Sequence, residues 1–147
     1  MSFKDDLAAA KAADVPHADV TVLVNGVPYD LRFRQMPGDE WASETDKHPA
    51  RPGVLVDQRY GYNIRSLTRG AAPKCGVLVN GGDEVKLRVD PVGDADRVDE
   101  WADLFRTLSG HDFQRVTDAI WSLNEYLPEK AVEAARKARA NSANTSS

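Results

Sequence analysis

Three histidines, one cysteine and two clusters of acids are the side chains of this 147-residue chain whose types could carry chemistry. His17, His48 and His111 each lie in or beside a turn, and none has a second His or Cys at metal-ligand spacing. All three read as surface or capping residues. Cys75 follows Lys74, a neighbour that could lower a thiol pKa, but it has no His partner in the sequence around it and reads as a small half-buried side chain. Asp39-Glu40 with Glu44 and Asp46 could pair as general acid and base or hold Mg²⁺. At i, i+4 spacing on a short helix, these acids more simply form its wet face. Asp94, Asp96, Asp99, Glu100 and Asp103 gather at a helix start, where the helix dipole favours negative charge. The chain has no phosphate loop, nucleophile elbow or dinucleotide fingerprint, and Gly81-Gly82 belongs to a hairpin turn. The expectation is a protein without catalytic residues, cofactor or metal.

Composition points the same way. With 41% hydrophobic and 29% charged residues the chain can form one ordinary core. It has no run of ~18 apolar residues, so no membrane-spanning helix is expected. Cys75 alone cannot close an internal disulfide. The N-terminal stretch is acidic where a secretory signal needs a basic start, so the expected home is a reducing cytoplasm. A net charge of −4 disfavours nonspecific nucleic-acid binding. The charge is uneven: residues 51–75 carry Arg51, Arg59, Arg65, Arg69 and Lys74 against Asp57 alone, between acidic flanks. Such a segment could orient a protein partner, but it reads first as a solvated surface whose signs cancel on folding.

The elements that must position these residues follow from periodicity. In residues 19–34, Val20, Val22 and Val24 alternate with Thr21 and Leu23, and Tyr29, Leu31 and Phe33 alternate with Asp30, Arg32 and Arg34, on either side of Asn25-Gly26. That pattern predicts a β-hairpin with a type I′ turn, with Pro28 near an open edge. Residues 76–90 predict a second hairpin around Asn80 to Asp83. Helices are expected at 39–48, at 63–72 with Asn63 as cap and Pro73 as stop, at 95–108, and at 112–127. Residues 49–59 read as loop. The 95–108 helix carries Val98, Trp101, Phe105 and Leu108 as its apolar stripe, and the 112–127 helix carries Phe113, Val116, Ile120, Leu123 and Leu127. The two should pack antiparallel on each other and on the sheet. The predicted fold is α+β, two antiparallel hairpins covered by about four short helices. Residues 1–18 form a frayed helix or disordered arm, 19–128 the domain, and 129–147 a tail that starts helical and becomes disordered, with Pro128 as the break.

Trp41 and Trp101 read as core. Trp121 lies off the narrow stripe of its helix and, with Tyr126, is a candidate anchor for a partner; Arg115 and Arg106 could steer that partner's approach.

The order of short motifs supplies a further signal. Pro37-Gly38-Asp39-Glu40-Trp41, then His48-Pro49-Ala50-Arg51, then Tyr62-Asn63, then a leucine-containing helix closing on Ser109-Gly110-His111-Asp112-Phe113, then Trp121 to Asn124, resembles the tail assembly chaperones of siphophages infecting actinobacteria. The similarity covers about residues 20 to 127. The chain departs from the pattern in carrying Ala50 where a second Pro is usual, and IRSLTRGAAPK after Asn63 where a Phe-Pro pair and a Leu-Ala-rich run are usual. The resemblance implies a non-enzymatic protein of the infected host's cytoplasm, absent from the mature virion. Such chaperones coat the tape measure protein and recruit tail tube protein around it. Many occur as a short form and a frameshifted long form, so further partners are the long form or a self-oligomer; nucleic acid and membranes are not expected partners. The alternative is a small structural virion component, for tail completion or head–tail connection. An enzyme using the Asp39–Asp46 carboxylates ranks last, because nothing supplies a nucleophile or substrate clamp.

Overall fold

The computed structural model describes residues 2–145. Among these residues the fold is α+β: one four-stranded antiparallel sheet in the order β1-β2-β3-β4, with helices packed on one face. Strands β1 (His17–Val24) and β2 (Val27–Arg34) form the first hairpin, and β3 (Gly76–Asn80) with β4 (Asp83–Val85) forms the second. Asn25 and Gly26 take φ of 53° and 75°, the left-handed pair that matches a tight turn to strand twist. Pro28 pairs with Leu23 on β1, while β3 reaches only Asp30 to Phe33 on the other side of β2. The missing Pro28 N–H therefore interrupts no ladder.

Alternation divides the sheet. Val20, Val22, Leu31 and Phe33 are buried on the inner face. Asp19, Arg32, Glu84 and Arg34 form an ion-pair ladder across the outer face, with Arg32 Nε to Asp19 Oδ1 at 2.8 Å. On the inner face lie α4 (Ile64–Cys75) and α6 (Gly110–Trp121), and α5 (Glu100–Thr107) packs on α4. Trp101, Phe33, Leu67, Val116, Ile120 and Leu123 fill the centre, each side chain stabilising by about 1.5–3 kcal/mol on burial. Thr68 and Thr117 join α4 to α6 by a hydroxyl–hydroxyl bond of 3.0 Å, which satisfies both in an otherwise apolar layer.

Several local expectations are corrected. Residues 49–59 are not all loop, because Leu55–Tyr60 forms a helical turn and a half, α3. Pro73 does not stop α4; it lies in the last turn, where only one donor is lost and the helix runs on to Cys75. The second hairpin closes at Val85 rather than reaching 90, leaving a single bridge between Val89 and Asp99. The 95–108 helix starts only at Glu100, because the Asp99 side chain caps it by accepting from Ala102 N–H at 2.9 Å. Helices α5 and α6 touch through Phe105 and Phe113, but each packs more extensively on α4.

Pro128 does not break the chain either. Helix α6 passes through a π-helical turn, Ser122–Tyr126, into α7 (Leu127–Thr145). Leu127 N–H bonds back to Ser122 C=O, and the next residue, Pro128, has no N–H to offer. The Leu123 carbonyl is taken by the Gln35 side-chain amide at 2.9 Å. The tail is thus helical to Thr145, exposed along α7 after the half-buried Pro128 as far as its side chains are described, while the expectation for residues 146 and 147 lies outside the described residues. Of the two readings for the N-terminal arm, the helical one applies to Phe3–Ala12, α1, closed by a Ser2/Asp5 capping box, and β1 begins at His17.

Candidate functional site

Part of the motif set, from Pro37 to Trp41 and at Asn124, meets around the π-helical turn, whereas Asp112 and Phe113 lie apart from it. Helix α2 (Gly38–Asp46) begins after Pro37, whose carbonyl accepts from Trp41 N–H at 2.9 Å. Asp39 and Glu40 lie in its first turn and face solvent. Trp41 is buried and donates its indole N–H to Glu125 Oε1 at 2.6 Å. The Asn124 side chain accepts from Met36 N–H and donates to Ile120 C=O, both at 2.9 Å. The strand-to-helix corner at Gln35–Trp41 is therefore bolted to residues 123–125 by three bonds. Asn124 sits inside the π-helical turn, and the helix expected over 112–127 continues beyond it.

The His48-Pro49-Ala50-Arg51 element serves the same corner. His48 C=O accepts from Asn63 N–H at 2.9 Å, and Pro49 bridges to Tyr62. Asn63 in turn caps α4 by accepting from Ser66 N–H at 3.2 Å. Arg51 grips Asp57 through its main-chain N–H, Nε and Nη2 at 2.9, 2.8 and 3.0 Å. These bonds hold the fully buried Asp57 carboxyl below its ordinary range.

Two sequence readings fail here. His48 is not a surface residue: its ring sits 2.9 Å from Ser66 Oγ and 3.2 Å from Glu44 Oε1. Glu44 is not on a wet face but 3% exposed, paired with Lys74 and His48. Burial pushes the Glu44 carboxyl up, but the bonds from Lys74 and His48 outweigh it and leave the pKa lowered. Gly70 permits this cluster, since a Cβ there would lie 2.5 Å from Glu44 Oε1 and 2.7 Å from His48 Nε2. Neither reading was available from helical spacing alone, because the partners come from α4. Lys74 does not activate Cys75, whose thiol burial pushes up to about 12. Among the described residues no three or more His, Cys, Asp or Glu side chains gather in a way that could hold a metal ion.

The proposed anchors separate into three places. Trp121 is half-buried, with its ring 5.5 Å from Tyr60 and 6.2 Å from the exposed Tyr126. Tyr60, Tyr62 and Trp41 continue this row inward. Burial and the nearby Glu125 push the Tyr62 hydroxyl up to about 12, so it stays a neutral donor at any physiological pH. Arg115 is not free to steer a partner: it donates to Thr21 C=O at 2.6 Å, beside Asp112, which accepts from Leu23 N–H at 3.0 Å. Asp112 and Arg115 thereby cover the open edge of β1, a protection against strand addition that the helix stripe did not reveal. Arg106 lies elsewhere again, pairing with Asp103 at 3.1 Å. No single surface holds all four anchors.

Arg106 instead lines an open cleft of about 600 Å³ with Arg65 and Arg69, which are one turn apart on α4. Its wall is Phe105 against Phe113, centroids 5.3 Å apart, at the N-terminus of α6. Of the basic segment noted in the sequence, Arg51 and Lys74 are spent on Asp57 and Glu44. Arg59, Arg65 and Arg69 close no ion pair among the described residues, and two of these three, Arg65 and Arg69, line this cleft. A second, more apolar groove of about 330 Å³ lies between the hairpin tips and α5, lined by Val24, Tyr29, Leu78, Leu87 and Leu104, with Glu100 and Asp103 on one rim. No helix is long and apolar enough to cross a membrane among the described residues.

Comparison with family models, curated proteins and solved structures finds no match to the chain.

Proposed function

We propose that the chain is a tail assembly chaperone, which binds and solubilises a tape measure protein and promotes assembly of tail tube protein around it, without catalysis. One observation carries this reading. Several elements on which the resemblance rests are far apart in sequence yet linked: Trp41 and the preceding Met36 bond Glu125 and Asn124 of the π-helical turn, Tyr62 packs on Trp41, and Pro49 and His48 bridge to Tyr62-Asn63, while Ser109 to Phe113 lies apart from them. A shared order of weak motifs is what such a mutually dependent corner would leave in a sequence.

The surfaces suit the task. A tape measure protein is long and helical, and each amphipathic helix exposes an apolar stripe that self-associates unless covered. Trp121 and Tyr126 offer a half-exposed aromatic ledge that continues into the exposed Leu127 on α7. The cleft walled by Phe105 and Phe113 offers an apolar seat with Arg65, Arg69 and Arg106 for flanking carboxylates. Binding through several modest sites lets the chaperone be displaced as tube subunits polymerise.

Such a protein works in the host cytoplasm and leaves before the tail is finished. Mass spectrometry of purified virions tests this. The chaperone is expected to be missing from virions yet abundant in the infected cell. A constant copy number per virion would instead make it a structural tail-completion or connector component.

A further inference from the structure

Apart from its capping box and its alanines, helix α1 has no tertiary packing that would hold it folded within its own chain. It is ten residues long, none of them buried, and an isolated helix shorter than about 12 residues is marginal in water. Phe3 is 79% exposed and Leu7 45% exposed. They are four residues apart and so lie on one face, with Ala10 a turn further on. Lys4 and Lys11 both flank that face on one side.

The groove between the hairpin tips and α5 is the complement of this face. Its lining is mainly apolar, it is open to solvent, and Tyr29 within it is 41% exposed. Its volume of about 330 Å³ suits two large side chains rather than a long helix. Glu100 and Asp103 stand on the α5 rim alone, matching the one-sided lysines. Asp103 reaches only the exposed Arg106 in its own chain, a weak surface pair that a new partner can replace. The helix leaves the sheet at the His17 end of β1, and the groove lies at the opposite, Val24 end.

We infer that α1 of one copy docks in this groove of a second copy, with Phe3 and Leu7 seated on Leu104, Leu87 and Tyr29 and with Lys4 and Lys11 facing Glu100 and Asp103. Each copy then presents one helix and one groove, so the contact either closes reciprocally in a dimer or propagates head to tail. This contact is independent of the chaperone reading, which concerns other surfaces.

Sedimentation velocity of the full chain over a range of concentrations tests it. The wild type is expected to associate as concentration rises. F3S/L7S, which alters only exposed side chains, should remain monomeric, with a circular dichroism spectrum that loses no more helix than the ten residues of α1. K4E/K11E and E100K/D103K should each associate at least about tenfold more weakly, and mixing the two should restore association, because the reversed helix then meets a reversed rim while the unaltered helix meets the unaltered groove. A wild type that stays monomeric, an F3S/L7S variant that associates like the wild type, or a mixture no stronger than its parts would each overturn the proposal.

Discussion

The Asn124 side chain receives the main-chain N–H of Met36 at 2.9 Å while its own amide nitrogen bonds the Ile120 carbonyl one turn back. Residues 88 positions apart are thereby joined where β2 leaves the sheet and α6 turns into its π-helical turn. Replacing Asn124 with Leu strands the Met36 donor at a partly buried site. The expected loss is about 1–3 kcal/mol, read from the shift in urea midpoint with an unchanged slope. A loss within experimental error would mean that the corner is held without this bond.

Trp101 and Phe105 should part company. Trp101 is 1% exposed and packs 6.0 Å from Phe33, so Trp101→Ala should cost about 3–5 kcal/mol. Phe105 is half-buried because one side faces the arginine-lined cleft, and Phe105→Ala should cost clearly less. Equal losses in thermal or chemical unfolding would contradict the cleft.

Gly76 opens β3 directly over Phe33. A Cβ there would lie 2.7 Å from the Phe33 ring and 2.9 Å from the Ala72 carbonyl. Phe33 is fully buried and cannot swing away. Gly76→Ala is therefore expected to destabilise by about 1–3 kcal/mol through overpacking, although alanine is the better strand residue. Unchanged or raised stability would show that the sheet and α4 can separate at this point.

Acid should act through Glu44. Its folded pKa lies below the ordinary 4.5, so folding favours the ionised form. That stabilisation is complete above pH 4.5 and is lost as pH falls through the lowered folded value. Asp57, held low by Arg51, contributes with the same sign below its ordinary 3.8. Glu44→Gln should weaken the protein at pH 7 and flatten the fall in stability below pH 4.5, measured by urea unfolding across pH. A Gln variant with the wild-type slope would place the acid sensitivity elsewhere.

Much of the fold was legible because it is written in local periods. The Val20-Val22-Val24 alternation, the Asn25-Gly26 turn and the Asn63 cap each act over a few residues, and all stand as expected. What was not legible depends on partners distant in sequence. Glu44 looks like a solvated helix acid until Lys74 and the missing side chain of Gly70 are brought beside it. Pro128 looks like a break until the π-helical turn and the Gln35 amide account for the carbonyl it would have bonded. Arg115 looked like a steering charge because helical spacing says nothing of the open β1 edge it covers. Among the partner candidates, Trp121 and Tyr126 are five residues apart and lie side by side through the π-helical turn, which their spacing did not reveal, while the arginine cleft needed α4 and α5 to be placed together.

The central claim is that the chain keeps a tape measure protein soluble, and co-expression of the two tests it most directly. The soluble fraction of the tape measure protein is expected to rise from little or none alone to most of the total with the wild-type chain. Tyr126→Ala, which removes a 44% exposed ring, should leave the melting temperature nearly unchanged and still lower that fraction, since a rim aromatic can carry about 2 kcal/mol of binding. A tape measure protein that remains insoluble beside an abundant, folded wild-type chain would contradict the account.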